Sequence, residues 1–476
     1  MIKGATSMNK VNIRLLKTGI PGFDELLGGG VPEFSFNLLA GTPGSGKTTM
    51  AQQIMFSLAG PDRRAIFFTV LGEPALKMLR YQQQFPFFSA EKIDESVKFV
   101  NLAADLLDGD FNGVLERIKE EVRAFRPSLV FVDSFRSVVR SAHANDAGPA
   151  GLQHFVHQLG VEMTGWLATS FLIGEYGVSE AESNPVFTVA DGIIWLSQLV
   201  HRDALVRKIQ IVKLRGHAQK LGVHAFRIND DGIQVFPRAV INASMGTAAR
   251  FKPAERLSLG VPAIDAMLGG GLPAGYALLV AGPSGSGKTI LATQFLEEGV
   301  RIGEPGVIAA FEKSPNQLHD QRRNALVEGG SVGLVDLRAL DLSLDEVLHD
   351  LIAMVTAMQA RRVVIDSLAG LELALAPVFH ADLGAALYRL VAALTHLGAT
   401  VLITAETEDR RSSLCRASAN AFLADAILTL RYVDRQGRRR RVLSVDKVRG
   451  SAHSDQSYFF DIAEDGIHVR DALEFE

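Results

Sequence analysis

GTPGSGKT (Gly41–Thr48) and GPSGSGKT (Gly282–Thr289) are the two stretches that decide how this chain folds. Both fit G-x-x-x-x-G-K-[ST], the phosphate-binding P-loop. An apolar run enters each one, FNLLAG (Phe36–Gly41) and ALLVAG (Ala277–Gly282). Glycines let the backbone turn so that successive N–H groups point inward at phosphate oxygens, and the helix that follows adds its positive N-terminal end. The expected triphosphate contacts are Thr42, Pro43, Gly44, Ser45, Gly46, Lys47, Thr48 and Thr49, then Pro283, Ser284, Gly285, Ser286, Gly287, Lys288, Thr289 and Ile290. Lys47 and Lys288 are placed to reach the β/γ phosphates, and Thr48 and Thr289 to ligate Mg²⁺.

Working outward, the two halves correspond feature by feature. TGIPGFDELLGGGVP (Thr18–Pro32) matches SLGVPAIDAMLGGGLP (Ser258–Pro273), and Asp24 and Asp265 are separated by the same offset as Gly41 and Gly282. LVFVDSF (Leu129–Phe135) matches VVIDSL (Val363–Leu368), and IVKLRG (Ile211–Gly216) matches SVDKVRG (Ser444–Gly450). A unit of this size repeated twice implies two domains, each with its own core. The expected boundaries are residues 10–241 and 256–476, joined by the small, polar linker 242–255. Within each unit, continuous apolar strands alternate with helical periodicity (Gly109–Phe125, Asp345–Met358). That pattern predicts an α/β fold: a mostly parallel sheet covered on both faces, with ligands at the carboxyl ends of its strands.

Bulk properties set limits. The chain has 476 residues, 47% hydrophobic and 21% charged, with a net charge of −4. These values fit a soluble globular protein and do not favour nucleic acid as a whole-chain partner. The lone cysteine, Cys415, excludes an internal disulfide and suits a reducing compartment. No secretory signal or membrane-spanning run is read, so a cytoplasmic location is expected. The histidines His143, His154, His157, His217 and His453 have no metal-ligand spacing.

Two further features carry chemistry. Asp133 and Asp366 each close an apolar strand downstream of a P-loop, which suits a carboxylate that holds Mg²⁺ through its waters. Lys213 with Arg215, and Lys447 with Arg449, stand two residues apart, so each pair is expected on one strand face. Arg438–Arg441 follow YVDRQG (Tyr432–Gly437), which reads as a hairpin turn, and a structural or interface role is expected for them. FPFF (Phe85–Phe88) is expected to make core or interface contacts.

With P-loops, GFD–GG–(V/L)P openings, VDS/IDS strands and K-x-R-G strands duplicated together, the chain resembles the KaiC family, two-domain RecA-superfamily ATPases of the circadian clock. The resemblance covers nearly the whole chain. It implies two tandem RecA-like domains, ATP and Mg²⁺ at subunit interfaces, self-association into a homohexameric double ring, protein partners yet to be identified, and slow ATP hydrolysis. It also implies serine/threonine autophosphorylation in the second domain.

The family's motifs carry over unevenly. One of two adjacent glutamates after the strand that follows the P-loop helix is expected to polarise the attacking group. Glu312 in AAFEKSP matches the first, and Lys313 replaces the second. In the first unit Leu71 and Gly72 occupy both positions; Glu73 stands one residue late and substitutes only if Gly72 forms a bulge. The expectation is that the first unit binds ATP and hydrolyses it poorly, while the second hydrolyses through Glu312, which also borders the metal. The resemblance gives Lys213, Arg215, Lys447 and Arg449 a role on the γ-phosphate of a neighbour's ATP. Ala421 and Phe422 stand where the clock kinases have a phosphorylated pair; Ser412, Ser413, Ser418 and Thr429 are nearby but do not match it. A RecA-type DNA repair ATPase is a further alternative, opposed by the acidic balance.

Overall fold

In the computed structural model the described residues are 13–69, 75–103, 111–134, 158–163, 165–177, 184–201, 204–238, 255–311, 318–336, 342–375, 379, 383–407, 423–435 and 437–473. The chain divides into two compact units, Met1–Arg238 and Ala239–Glu476. Most of the expected linker, residues 242–254, lies outside the described residues.

Unit 1 opens with a small antiparallel ribbon, β1 (Leu15–Leu16) on β2 (Val31–Pro32). Its main strands are β3 (Phe36–Gly41), β4 (Ala65–Thr69), β5 (Val97–Asn101), β6 (Leu129–Asp133), β7 (Thr169–Glu175), β8 (Gly192–His201), β9 (Ala204–Leu214), β10 (Val223–Asn229) and β11 (Gly232–Phe236). They form one nine-stranded sheet in the order β11-β10-β9-β8-β3-β7-β6-β4-β5. The strands from β5 through β3 to β8 are parallel, and β9, β10 and β11 continue as an antiparallel meander.

Unit 2 repeats this. After the ribbon β12 (Arg256–Leu257) and β13 (Leu272–Pro273) come β14 (Ala277–Gly282), β15 (Gly306–Ala310), β16 (Val332–Asp336), β17 (Arg362–Asp366) and β18 (Thr400–Glu406). They are followed by β19 (Ala426–Arg435), β20 (Arg438–Val448), β21 (Tyr458–Ala463) and β22 (Gly466–Ala472). The order β16-β15-β17-β18-β14-β19-β20-β21-β22 matches unit 1 strand for strand. Each unit is thus a mostly parallel RecA-like sheet flanked by helices.

The continuous apolar strands are explained by burial on both faces. Leu39, Phe67, Phe131 and Phe171 face one cluster with Met50, Ile54 and Met55 of the P-loop helix Lys47–Leu58. Leu38, Ile66, Val130 and Leu172 alternate with them and face a second cluster, with Val114, Ile118 and Val122 of helix Phe111–Phe125. Phe131 stacks on Phe67 and on Phe171, with ring centroids 5.8 and 4.9 Å apart. The FPFF segment joins the same core, Phe88 lying 5.0 Å from Phe56. In unit 2, helices Leu344–Met358 and Leu383–His396 cover one face and helix Lys288–Arg301 the other. The expected hairpin is present: β19 pairs with β20, and the guanidinium of Arg439 lies 4.0 Å over the Tyr432 ring.

One exchange between the units concerns volume. Leu58 and Leu129 belong to one buried cluster in unit 1, and their counterparts in unit 2 are Gly299 and Arg362. Arg362 is fully buried, donating to Glu304, to the carbonyl of Ser258 at 2.7 Å and to that of Phe295 at 2.9 Å. A Cβ on Gly299 would meet Arg362 Cδ at 2.5 Å, so the glycine makes the space that the arginine stem fills. Gly299→Leu alone is expected to destabilise unit 2 by about 1–3 kcal/mol or more through overpacking. The double variant Gly299→Leu/Arg362→Leu, which copies unit 1, should recover part of that loss in a double-mutant cycle read by denaturant melts.

Candidate nucleotide sites

Each P-loop helix begins as an anion site should. Gly46 and Gly287 are the N-caps of helices Lys47–Leu58 and Lys288–Arg301, with φ of 95° and 106° in the left-handed region that favours glycine. Neither helix has a side-chain cap or an acidic residue in its first turn. The helix Leu344–Met358, by contrast, closes its N-terminus with a capping box of Ser343 and Glu346. The P-loop helices therefore leave their N–H groups and positive end for an outside anion. Among the described residues, the hydroxyls of Ser45 and Ser286, buried in the loops, have no hydrogen-bond partner.

The lysines fit the same purpose. Lys47 is buried, and its Nζ donates to the carbonyl of Thr42 at 2.7 Å. Burial pulls its pKa down, opposed by the charges of Glu175 and Asp133. Lys288 Nζ donates to the carbonyls of Gly282 at 2.9 Å and Pro283 at 3.0 Å. Burial disfavours the Lys47 charge, and phosphate oxygens would favour it.

The expected metal carboxylates end strands two places from the P-loop strand in each sheet. In unit 1, Thr48 Oγ1 donates to Asp133 Oδ2 at 2.7 Å, which brings the two predicted metal residues together. Burial pushes the Asp133 carboxyl up to about 6, against the pull of the Thr48 hydroxyl and the Lys47 charge. In unit 2 Asp366 is buried, and Thr404 Oγ1 donates to its Oδ1 at 2.5 Å. Ile173 stands in the place of Thr404 in unit 1, so the two carboxylates are held by different hydroxyls. Thr48 and Asp133, and Thr289 and Asp366, are oxygen ligands of the kind Mg²⁺ takes.

Sequence reasoning missed Glu175 and Glu406. They close β7 and β18, each paired with the last residue of a P-loop strand, Gly41 or Gly282. Glu175 acts electrostatically on both Lys47 and Asp133. The available signal was a carboxylate ending the same apolar strand in both halves.

The K-x-R-G pairs lie elsewhere. Lys213 faces the start of β8, beside a register shift in the β8–β9 pairing, and the equivalent shift precedes Lys447. Arg215 and Arg449 stand in the turns just beyond β9 and β20, so each pair is not on one continuous strand face as spacing predicted. The register shift and the strand end together override simple alternation. Lys213 Nζ donates to the carbonyl of Thr188 at 3.1 Å, and Lys447 Nζ to that of Ala424 at 2.7 Å. Burial, then the Arg215 charge, lowers the Lys213 pKa. Arg215 donates to Asp191 at 3.2 Å and Arg449 to Asp425 at 3.2 Å, at the amino ends of the P-loop strands. Glu312, Lys313, Leu71, Gly72, Glu73, Ala421, Phe422, Ser412, Ser413, Ser418 and Cys415 lie outside the described residues. Thr429 lies on β19, donating to Asp446.

The Asp133 environment predicts a stability signature. The folded state holds this proton more tightly than an unfolded chain, so the contribution is complete below pH 3.8 and lost as pH rises through about 6. Without magnesium and nucleotide, Asp133→Asn should therefore stabilise unit 1 at pH 7 by roughly 1–3 kcal/mol. The gain should shrink at pH 5, and MgATP should no longer raise the melting temperature of that unit. Thermal melts in chelator and in MgATP check both.

Known sequences resemble this chain over nearly its full length. A family model for the KaiC ATPase matches residues 16–240 and 257–474, one match per unit. The circadian clock oscillator protein KaiC of Rippkaea orientalis is 27% identical over 97% of this chain and 89% of its own length. KaiC 1 of Synechocystis is 27% identical over 97% and 90%, and KaiC of a Prochlorococcus marinus strain 28% over 97% and 93%. With two RecA-like sheets, two P-loops and a family match across both units, the chain belongs to the KaiC family of ATPases.

Proposed function

We propose that this protein binds MgATP in both units and hydrolyses it at boundaries between subunits of a homohexameric ring, using the nucleotide state to switch its contacts with regulatory protein partners. The observation that carries this reading is the separation of the two cationic elements within one unit. Lys47 sits at the carboxyl end of β3, while Arg215 bonds Asp191, whose carboxylate accepts from Phe36 N at the amino end of the same strand. Those ends are roughly 16 Å apart by strand rise. Arg215 held there does not reach its own P-loop, and the same holds for Arg449 and Lys288. A residue this placed serves a nucleotide bound by a neighbour, where cations supplied in trans speed phosphoryl transfer.

Thr48 and Asp133, or Thr289 and Asp366, would hold Mg²⁺, which would supply positive charge against the phosphates. The P-loop N–H groups and lysines orient the phosphates. Glu312 is assigned the polarising role and most turnover is assigned to unit 2, while Glu175 and Glu406 border the sites. The ring assembly, this division of labour and a cytoplasmic location are parts of the reading. Among the described residues no helix is long and apolar enough to cross a membrane. The relatives' names point to a clock or related regulatory output; a phosphorylatable pair is not present at Ala421 and Phe422.

Sizing chromatography should give a hexamer in MgATP and smaller species without nucleotide. Glu312→Gln should lower ATP turnover by about 10²-fold or more in unit 2 while leaving assembly intact. Arg449→Ala should lose turnover and keep its fold. A protein that stays monomeric in saturating ATP yet hydrolyses it at full rate would overturn the reading.

A further inference from the structure

We propose that Asp191 and Asp425 are positioning residues for ATP turnover. Each aims the arginine of its own K-x-R-G turn across the subunit boundary and fastens that turn to the first residue of its own P-loop strand. The inference rests on the shared-site reading above.

The contacts around these carboxylates are the same in both units. Asp191 Oδ1 accepts from Arg215 Nη1 at 3.2 Å, and its Oδ2 accepts from the backbone N–H of Phe36 at 3.1 Å. Asp425 Oδ1 accepts from Arg449 Nη1 at 3.2 Å, and its Oδ2 from the backbone N–H of Ala277 at 3.1 Å. The main chain repeats the link. Asp191 N–H donates to the carbonyl of Phe36 at 2.8 Å, and its carbonyl accepts from Arg215 N at 3.0 Å. Asp425 bonds Ala277 at 2.9 Å and Arg449 at 2.8 Å in the same way. Strand entry, aspartate and turn are therefore tied at four points, which fixes the plane of the carboxylate facing the guanidinium.

Stability does not account for this arrangement. The Arg215 and Arg449 side chains are 61% and 65% exposed, and exposed ion pairs add little to folding. What such a pair does supply is direction. It narrows the rotamers of a long side chain before a charged target arrives, and misplacement of a positioning group is costly to rate. The lysines are held separately, on the carbonyls of Thr188 and Ala424, which are not equivalent positions in the two units. The hold on the arginine is the shared feature. Because the same carboxylate bonds the start of the P-loop strand, the arm offered to one neighbour is mechanically joined to the element that grips the other site's nucleotide.

Asp425→Asn keeps an acceptor for Ala277 N–H and removes the charge facing Arg449. It should assemble and melt as the parent does, with KM for ATP unchanged and kcat lowered about ten-fold. Asp425→Glu keeps the charge but moves it by one methylene, so it should also lose turnover if aim is what matters. The decisive readout is mixing. Asp425→Asn subunits combined with Glu312→Gln subunits should regain turnover, because an intact P-loop unit then meets an intact arginine turn. Arg449→Ala mixed with Glu312→Gln is the control for the shared site itself. Full turnover in Asp425→Asn overturns the inference. So does a loss that mixing does not restore while the Arg449→Ala control is restored, since Asp425 would then act only within its own unit. If the control also fails to recover, the shared-site reading falls, and the inference with it.

Discussion

Strand polarity is the constraint on which the molecule depends. Six strands in each sheet run the same way, so their carboxyl ends gather at one edge and their amino ends at the other. Gly41, Asp133 and Glu175 therefore converge because they end β3, β6 and β7. Phe36, Asp191 and the turn carrying Arg215 converge at the opposite edge because β9 runs back antiparallel beside β8. A unit built this way carries part of a phosphate site at one edge and a cationic arm at the other.

The two units show how far filling varies under fixed topology. Unit 1 packs its P-loop face with stacked phenylalanines, each pair worth about 0.5–1.5 kcal/mol beyond its area. In unit 2 the strands present aliphatic residues to the same face, and one buried arginine lies over the Phe295 ring with Glu304 answering its charge. Near the phosphates the difference becomes chemical. The carboxylate of unit 1 bonds the P-loop threonine, whereas that of unit 2 bonds Thr404 on the neighbouring strand. The elements that change least are the loop glycines and lysine, the strand-ending carboxylates and the aspartate–arginine clamp.

Much of this was legible in the sequence because it is local. A P-loop, an apolar strand of five or six residues and an amphipathic helix each declare themselves within one window, and the internal repeat doubles every signal. Thr404 was not legible, because its role depends on β17 lying beside β18, a pairing that no short window contains. Arg362 was hidden for a related reason. An arginine at the start of a strand reads as solvent-exposed until Gly299, far away in sequence, is seen to clear its path. Glu175 and Glu406 end apolar strands in both halves, but gained meaning only when β7 and β18 proved to flank the P-loop strands. The spacing of the K-x-R pairs was read as simple alternation, which a register shift and the strand end set aside.

The electrostatics of unit 1 join these strands of reasoning. Burial raises the Asp133 carboxyl and lowers the Lys47 ammonium, so each group is driven toward neutrality by its surroundings. Each also restrains the other's shift, since a charge of opposite sign lies close by. A site meant only for stability would replace such a pair with apolar side chains. Retaining both, beneath a helix N-terminus without a side-chain cap, suits a nucleotide site, where phosphate oxygens face the lysine and the helix end. Binding then stabilises the unit that binds, and nucleotide occupancy becomes a variable the fold itself can register.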